Sequence, residues 1–137
     1  MTFTPISRSA VSDWTDEIDP LFERMASGSG GRYEAKHLYS ELASGRLLLA
    51  EIGGWRAAMV LKDTQWPTGL TELEIVGLGG EGLTDWKEAM FSAERIAKNM
   101  GFDRLSTGHA RKGWLKMCAA HGWKETGVIL EKDLFNG

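Results

Sequence analysis

One segment limits the possible folds more than any other: an alternating strand pattern that passes through four glycines directly into the clearest helical pattern of the chain. Residues 72–77 alternate between polar and apolar side chains, which predicts a strand with one polar face. The glycines lie between residues 77 and 82, and apolar spacings of three and four predict a helix over residues 83–100. Glycine amides can approach an anion closely, and the start of a helix carries partial positive charge. The segment therefore predicts a phosphate-binding site. The alternative is a tight turn without a ligand.

Two nucleotide-binding motifs are excluded for this segment. Gly77, Gly79 and Gly82 match the dinucleotide fingerprint G-x-G-x-x-G. A doubly wound domain needs two halves, and too few residues follow Gly82 to form them. A Walker loop is absent, because the sequence contains no Gly-Lys-Ser or Gly-Lys-Thr.

The N-terminal half predicts two helices and an antiparallel hairpin. The first helix runs from Val11 to Met25, and Pro20 is expected to kink or divide it. The second runs from Tyr33 to Ala43. Aliphatic runs over residues 46–52 and 55–62 then flank Gly53-Gly54, whose positive φ angles suit a two-residue hairpin turn.

The C-terminal part predicts a short strand, a helix and a last strand. The strand covers Phe102 to Thr107, and the helix covers Arg111 to His121 and ends at Gly122. The last strand covers Glu125 to Leu134. With 137 residues, 42% of them hydrophobic, the whole chain, residues 1–137, is expected to form one domain.

Composition excludes several classes of protein. A formal charge of -3 argues against a surface that binds nucleic acid or an anionic membrane as a whole. Cys118 is the single cysteine, so no internal disulfide forms, and the histidine spacing suits no zinc site. Because of this spacing, we expect no metal. No apolar stretch is long enough to cross a membrane, and the N-terminus lacks a signal pattern, so we expect a cytoplasmic protein.

The order of the predicted elements resembles the GCN5-related N-acetyltransferase family, over about Leu21 to Leu134. In that family, the loop after the fourth strand carries Arg or Gln, two free positions, Gly, one free position, and Gly or Ala. Gly77, Gly80 and Gly82 occupy these three places, and Gly77 departs from the usual Arg or Gln. The resemblance implies an α/β (α+β) fold: a mixed, mostly antiparallel central sheet with helices on both faces.

The second half of the chain carries a further part of the resemblance. The family's short helix ends in Gly-Phe, and Gly122-Trp123 stands in this place. Cys118 stands four residues before that glycine, where the family usually has tyrosine. More narrowly, the segment from Glu74 to Gly82 together with Thr107-Gly108, Gly113-Trp114 and Gly122-Trp123 is similar to a group of small phage and prophage acetyltransferase-like proteins.

The resemblance implies acetyl-CoA-dependent transfer of an acetyl group to an amine by direct attack, the acceptor being a small molecule or a protein. The residues that it places at the cofactor are Val76, Gly77, Gly79, Gly80, Gly82, Leu83 and Thr84. Among them, Val76 would lie at a bulge whose N–H faces the thioester oxygen. The alternative is a non-catalytic phage virion or interaction protein that retains the fold, found in host cytoplasm or virion if the chain is phage-encoded.

Two residues are candidates for acid–base chemistry. Glu74 lies on the polar strand that leads to the glycines, where a general base could take the amine proton; Glu72 shares its face. Alternating glutamates are also typical of a solvated strand. Cys118 could protonate the leaving thiolate, and its alternative is an inert thiol in the core. Tyr33 and Tyr39 could line the acceptor side or simply pack.

Charged side chains leave one more function open. Glu81 and Asp85 place carboxylates beside the predicted phosphate-binding site, which opposes tight binding of a diphosphate. Four basic residues near the predicted short helix could bind the 3′-phosphate of CoA or a nucleic acid. This basic group consists of His109, Arg111, Lys112 and Lys116. A solvated basic face is the alternative, and modification of nucleic-acid bases is the weakest of the three functions.

Overall fold

The structure, a computed structural model, describes residues 2–80, 86–108, 116, 118–127 and 129–135. Contacts divide the chain into two compact units, Met1–Thr107 and Gly108–Gly137. The elements of the larger unit are, in chain order, β1 (Phe3–Ile6), a 3-10 helix (Arg8–Trp14), α1 (Thr15–Ser27), α2 (Ala35–Ala43), β2 (Leu47–Ile52), β3 (Ala57–Gln65), β4 (Thr71–Gly80), α3 (Trp86–Asn99) and β5 (Arg104–Thr107). Among the described residues, no helix has the length and apolar character that a membrane crossing requires.

The five strands form one mixed sheet in the order β1-β2-β3-β4-β5. The pairs from β1 to β4 are antiparallel, and β5 lies parallel to β4. A parallel pair needs a crossover connection, which α3 provides. The mixed, mostly antiparallel sheet with helices confirms the predicted fold class. β1 was not predicted; it is an edge strand of four residues that includes Pro5, which edge strands tolerate.

The helices α1 and α2 cover one face of the sheet. Their apolar stripes pack on inward residues of β2 and β3. The buried residues on this face, called the α1/α2 cluster below, are Ile18, Leu21, Phe22, Met25, Ala35, Leu38, Leu42, Leu47, Leu49, Ala58 and Val60. The alternate residues Ala57, Met59 and Leu61 point to the opposite face and are also buried. The buried stripe of α3, which includes Ala89 and Ala93, lies outside the α1/α2 cluster, as expected of a helix on that second face.

Two details of the N-terminal half differ from the prediction. Pro20 was expected to kink or divide the first helix; it lies inside the continuous α1, so the helix is not divided there, and the helix type changes earlier, at Thr15. Ile18 and Leu21 are buried on either side of Pro20, so packing outweighs the one hydrogen bond that proline removes. The second helix begins at Ala35 rather than Tyr33 and ends as predicted at Ala43.

The hairpin is confirmed, but its loop is longer than predicted. Ile52 pairs with Ala57, so four residues, not two, connect β2 and β3. Trp55 lies in this loop with a φ of 69° and is not part of the second strand. Glu51 Oε2 accepts hydrogen bonds from the N–H groups of Gly54 at 2.9 Å and Trp55 at 3.0 Å. This carboxylate stabilises a left-handed backbone that tryptophan rarely adopts.

In the smaller unit, the helix end is confirmed and the last strand is not. Gly122 has a φ of 87°, and the Trp123 N–H donates to Cys118 O at 3.1 Å, a typical glycine-terminated helix end. The helix start, from Arg111, lies outside the described residues. No strand is present within 123–127 or 129–135, which contradicts the prediction for Glu125 to Leu134. Alternation alone does not make a strand, because its backbone groups need a pairing partner.

A side-chain clamp fixes the starts of β4 and β5. Asp103 Oδ2 accepts hydrogen bonds from the Thr71 N–H at 3.0 Å and from Thr71 Oγ1 at 3.1 Å. The Asp103 N–H donates in turn to Thr71 O at 3.1 Å. The backbone hydrogen bond from Thr71, followed by the one from its side chain, lowers the pKa of Asp103. The clamp sets the register in which the polar residues of these two strands meet.

Replacement of Asp103 by asparagine is expected to lower the free energy of unfolding at pH 7. A carboxyl whose pKa is depressed by folding contributes stability above its unfolded pKa, about 4, and loses that contribution as pH falls through the folded value. The native chain should therefore approach Asp103→Asn in stability below about pH 4. Urea unfolding at pH 7 and pH 3 measures this, with Asp63→Asn, at an exposed position of β3, as control. An equal difference at both pH values would contradict it.

Candidate active site

A β-bulge interrupts β4 at the predicted position. Val60 of β3 pairs with Gly77, and the next residue, Leu61, pairs with Ile75. Val76 is thus an extra residue between them, partly buried against the α1/α2 cluster. Bulges re-aim backbone groups and occur often beside active sites. The family resemblance implied a bulge near Val76, and the register shift between Val60 and Leu61 is found there.

The strand β5 leaves β4 at the same point. The two strands pair from Glu72 opposite Arg104 to Ile75 opposite Thr107, and the pairing ends there. From Val76 to Gly80, β4 pairs with β3 on one side, and no described strand lies on the other. Among the described residues, this edge of β4 thus has no strand partner for its backbone N–H and C=O groups.

Three of the predicted loop glycines belong to β4 itself. Gly77, Gly79 and Gly80 pair in register with Val60, Ala58 and Ala57. Their predicted place in a phosphate-binding loop is wrong, because the strand continues to residue 80. Gly82, Leu83 and Thr84 lie outside the described residues. The binding roles of all these positions stay predictions.

The glycines of β4 allow α1 to approach closely. A Cβ added at Gly77 would lie 3.0 Å from Met25 Sδ and 3.7 Å from the Tyr33 hydroxyl. A Cβ at Gly79 would lie 3.2 Å from Met25 Cγ and 3.5 Å from the main-chain oxygen of Leu21. A Cβ at Gly77 would thus require the Met25 side chain to move by a few tenths of an ångström, whereas the Tyr33 hydroxyl would be in ordinary van der Waals contact.

A polar patch on β4 and its neighbours lies next to the bulge. Val60 faces the α1/α2 cluster, and Lys62 follows on the same face, so its register partner Glu74 shares that face. Glu74 is half-buried and stands two residues before the bulge at Val76. On its other side, Glu74 pairs in register with Ser106 of β5.

The two glutamates of the patch differ in their hydrogen bonds. Ser106 Oγ donates to Glu72 Oε2 at 2.9 Å, which engages that carboxylate. No hydrogen bond to the Glu74 carboxylate is found within the part of the chain that the structure describes. Glu74 is thus the carboxylate nearer to the bulge and the one with acceptor capacity left, as a general base requires. Its predicted catalytic role is not tested by this geometry alone.

The two tyrosines have different surroundings. Tyr33 precedes α2, and Ser29 Oγ forms hydrogen bonds with its backbone N–H and C=O groups. Its hydroxyl lies close to Gly77 of β4, and burial raises its pKa. Tyr39 donates a short hydrogen bond to Asp19 and packs on Phe22, with ring centroids 4.9 Å apart. Burial, followed by that hydrogen bond and the Asp19 charge, raises the Tyr39 pKa. Tyr39 is therefore a packing residue, whereas Tyr33 lies beside the candidate site.

Cys118 and the basic group belong to the smaller unit. Cys118 is 5% exposed, and burial raises the pKa of its thiol. A raised pKa keeps the thiol protonated, which suits a proton donor and an inert core thiol equally. Lys116 is exposed, while His109, Arg111 and Lys112 lie outside the described residues. The roles predicted for these side chains stay predictions.

Sequence reasoning missed Arg24, an exposed residue of α1. Its Nη1 donates to Gly80 O at 3.1 Å, which ties α1 to the end of β4. An arginine on the outer face of an amphipathic helix normally carries no signal beyond solubility. The contact joins residues far apart in the chain, so only the fold reveals it.

Solved structures share this fold over nearly their whole length. A probable acetyltransferase has a TM-score of 0.71 at 12% identity, with 98% of this chain and 97% of that chain covered. A GCN5-related N-acetyltransferase from Ralstonia eutropha JMP134 has a TM-score of 0.63 at 18% identity, with 96% and 97% covered. A predicted acetyltransferase with acetyl-CoA from Clostridium acetobutylicum has a TM-score of 0.61 at 14% identity, with 99% and 97% covered.

Sequence comparisons add nothing to this likeness. No protein-family model matches the chain, and no curated protein is significantly similar to it. At identities below one fifth, the solved structures show the fold, and fold alone does not establish activity. The chain thus has the fold of acetyltransferases, and its chemistry is argued from the site.

Proposed function

We propose that this chain, which shares its fold with GCN5-related N-acetyltransferases, is an acetyl-CoA-dependent N-acyltransferase. The observation that carries the proposal is the coincidence of two features in β4. The bulge at Val76 stands where β5 leaves the strand, so an edge of β4 with which no described strand pairs begins beside a re-aimed backbone. A thioester needs such a preorganised N–H, and its extended arm needs such an edge.

The reaction is direct transfer between two bound substrates. The neutral amine attacks the thioester carbonyl, so a C–N bond forms and the C–S bond breaks. The Val76 N–H stabilises the developing oxyanion, and Glu74 takes the proton that the amine nitrogen loses, directly or through water. The CoA thiolate takes up a proton as it leaves, and the role of Cys118 as the donor rests on its place in the sequence motif alone.

The cofactor side of the site follows the edge of β4 with which no described strand pairs. The pantetheine arm pairs with backbone groups between Val76 and Gly80, and the diphosphate lies beyond Gly80, at Gly82, Leu83 and Thr84. The acceptor side lies on the face that carries Glu74 and is bordered by Tyr33. A carboxylate on this side favours a cationic amine, from a small molecule or a protein. A phage or prophage origin rests on the sequence motifs alone.

The proposal predicts that the chain binds acetyl-CoA and CoA, but not NADH. A ligand that binds only the folded chain stabilises it by about 2.7 kcal/mol at a hundredfold excess over Kd, which shifts the melting temperature by several degrees. Thermal melts with the three ligands at millimolar concentration measure this. Melting curves that acetyl-CoA and CoA both leave unchanged would contradict the proposal and favour a protein that retains the fold without the activity.

A further inference from the structure

A small cavity, called the corner cavity below, lies at the corner of the sheet where β1 ends. β1 pairs with β2 as far as Ile6 opposite Leu49. Leu47 and Leu48 come before Leu49 in β2, and among the described strands they pair with β3 alone. The chain leaves β1 at Ser7 and turns into the 3-10 helix, which borders the cavity on this side. The volume is about 240 Å³, and β3 separates this part of the sheet from β4.

The walls of the corner cavity are aliphatic. Four elements contribute to them, with Ile6 from β1, Val11 from the 3-10 helix, Leu42 from α2 and Leu48 from β2. Such a lining offers water few hydrogen bonds and accepts an apolar group instead. The volume is below the roughly 300 Å³ at which sites for drug-sized ligands begin. The group that fits is therefore small, such as a short alkyl chain.

A cation stands at the rim of the corner cavity. Arg8 lines the cavity and is exposed, and a Cβ at Gly45 would overlap its guanidinium. The guanidinium thus lies against the backbone just after α2, where the partial negative charge of the helix end attracts a cation. Within the described part of the chain, no hydrogen bond or ion pair engages the Arg8 side chain. Its N–H donors therefore retain their capacity for a ligand.

We propose that the corner cavity binds a carboxylate with a short apolar body, such as a medium-chain fatty acid. The carboxylate accepts the two parallel hydrogen bonds that the Arg8 guanidinium offers, and the alkyl chain enters the aliphatic cavity. An apolar cavity alone would select any hydrocarbon, and an arginine alone would select any anion. Together they select a ligand that carries both features. The cavity is separate from the candidate active site, so the inference does not depend on the proposed function.

Titration of the ¹⁵N-labelled chain with octanoate, followed by amide chemical shifts, tests the inference. Octanoate is expected to move the signals of residues 6–11 and 42–49, with a Kd on the order of 1 mM or below. Arg8→Gln should weaken binding about tenfold, because it removes a charge-assisted pair of hydrogen bonds. Arg56→Gln is the control, since Arg56 is an exposed arginine of the loop between β2 and β3 and does not line the cavity.

Two further comparisons separate the apolar contribution from the ionic one. In the native chain, 1-octanol, which has the same alkyl chain without the charge, should bind about as weakly as octanoate binds Arg8→Gln. Acetate, which has the charge without the chain, should move none of these signals. Val11→Phe places a larger side chain at the cavity wall and should remove octanoate binding.

Three results would overturn the inference. The first is a set of native amide shifts that octanoate leaves unchanged up to about 10 mM. The second is equal affinity of the native chain for octanoate and 1-octanol, which would show that Arg8 only packs on the end of α2. The third is a set of shifts centred on β4, which would place the ligand at the candidate active site. The octanol comparison uses the native chain, so it decides the role of the charge even if Arg8→Gln lowers the melting temperature.

Discussion

Replacement of Gly80 by alanine is expected to lower the free energy of unfolding by about 4 kcal/mol, since it adds overpacking to backbone strain. A Cβ at this position would lie 2.4 Å from Arg56 O and 2.4 Å from Ala57 Cβ. The first of these atoms is main chain, and Ala57 Cα lies only 2.5 Å away, so no flexible side chain can move aside. The φ of 156° at Gly80 adds strain for any L-residue.

A matched glycine separates the two contributions. Gly54 has a φ of 70°, but a Cβ there would meet nothing within 4 Å. Gly54→Ala should therefore cost only the backbone strain, about 1 kcal/mol. Urea unfolding of both variants measures the difference. Similar losses in the two variants would contradict the close approach of β3 to the end of β4.

Most of the architecture could be predicted because its signals are local. The alternation in residues 72–77 and the apolar spacing in α3 each describe which side of one element is buried. Gly53 and Gly54 predicted the hairpin but not the length of its loop. The loop is longer because the Glu51 carboxylate stabilises Trp55 within it. Such side-chain capping depends on where the carboxylate points, which a pattern does not encode.

The predicted last strand failed for a reason of the same kind. The residues from 125 to 134 alternate, but a strand exists only where a neighbour accepts its backbone hydrogen bonds. Ile129 and Leu130 are exposed, so their apolar character does not reflect a buried face. The opposite error is to miss a strand that exists, as happened with the edge strand β1, because four residues give too little pattern to detect.

Candidate site residues could be named from the sequence where they follow one strand and not where two elements meet. Glu74 and Val76 were named because both lie on a polar strand that leads to the glycines, and their roles stay predictions. The glycines were predicted to bind an anion, which stays a prediction, and the structure adds that Gly77 and Gly79 allow the close approach of Met25 of α1. A glycine that serves a ligand and one that serves a neighbouring helix look the same in a sequence.

Replacement of Glu74 by glutamine is expected to lower kcat about a hundredfold, the typical contribution of a positioned general base. The change keeps the shape of the side chain and removes its ability to take a proton from the amine. The KM for acetyl-CoA should stay near the native value, because the proposed cofactor contacts lie on β4 from Val76 onward and do not include Glu74. Release of the CoA thiol, with spermidine, free lysine and a short peptide as acceptors, measures the rate.

Glu72→Gln is the matched control for this variant. Glu72 lies on the same strand face, but its carboxylate already accepts a hydrogen bond from Ser106 Oγ and stands farther from the bulge. Glutamine retains an acceptor oxygen for Ser106, so this variant should keep most of the native kcat. A large loss in Glu72→Gln with native activity in Glu74→Gln would reverse the assignment of the base. Equal and small losses in both would show that the amine reaches the thioester already neutral, with water as proton acceptor.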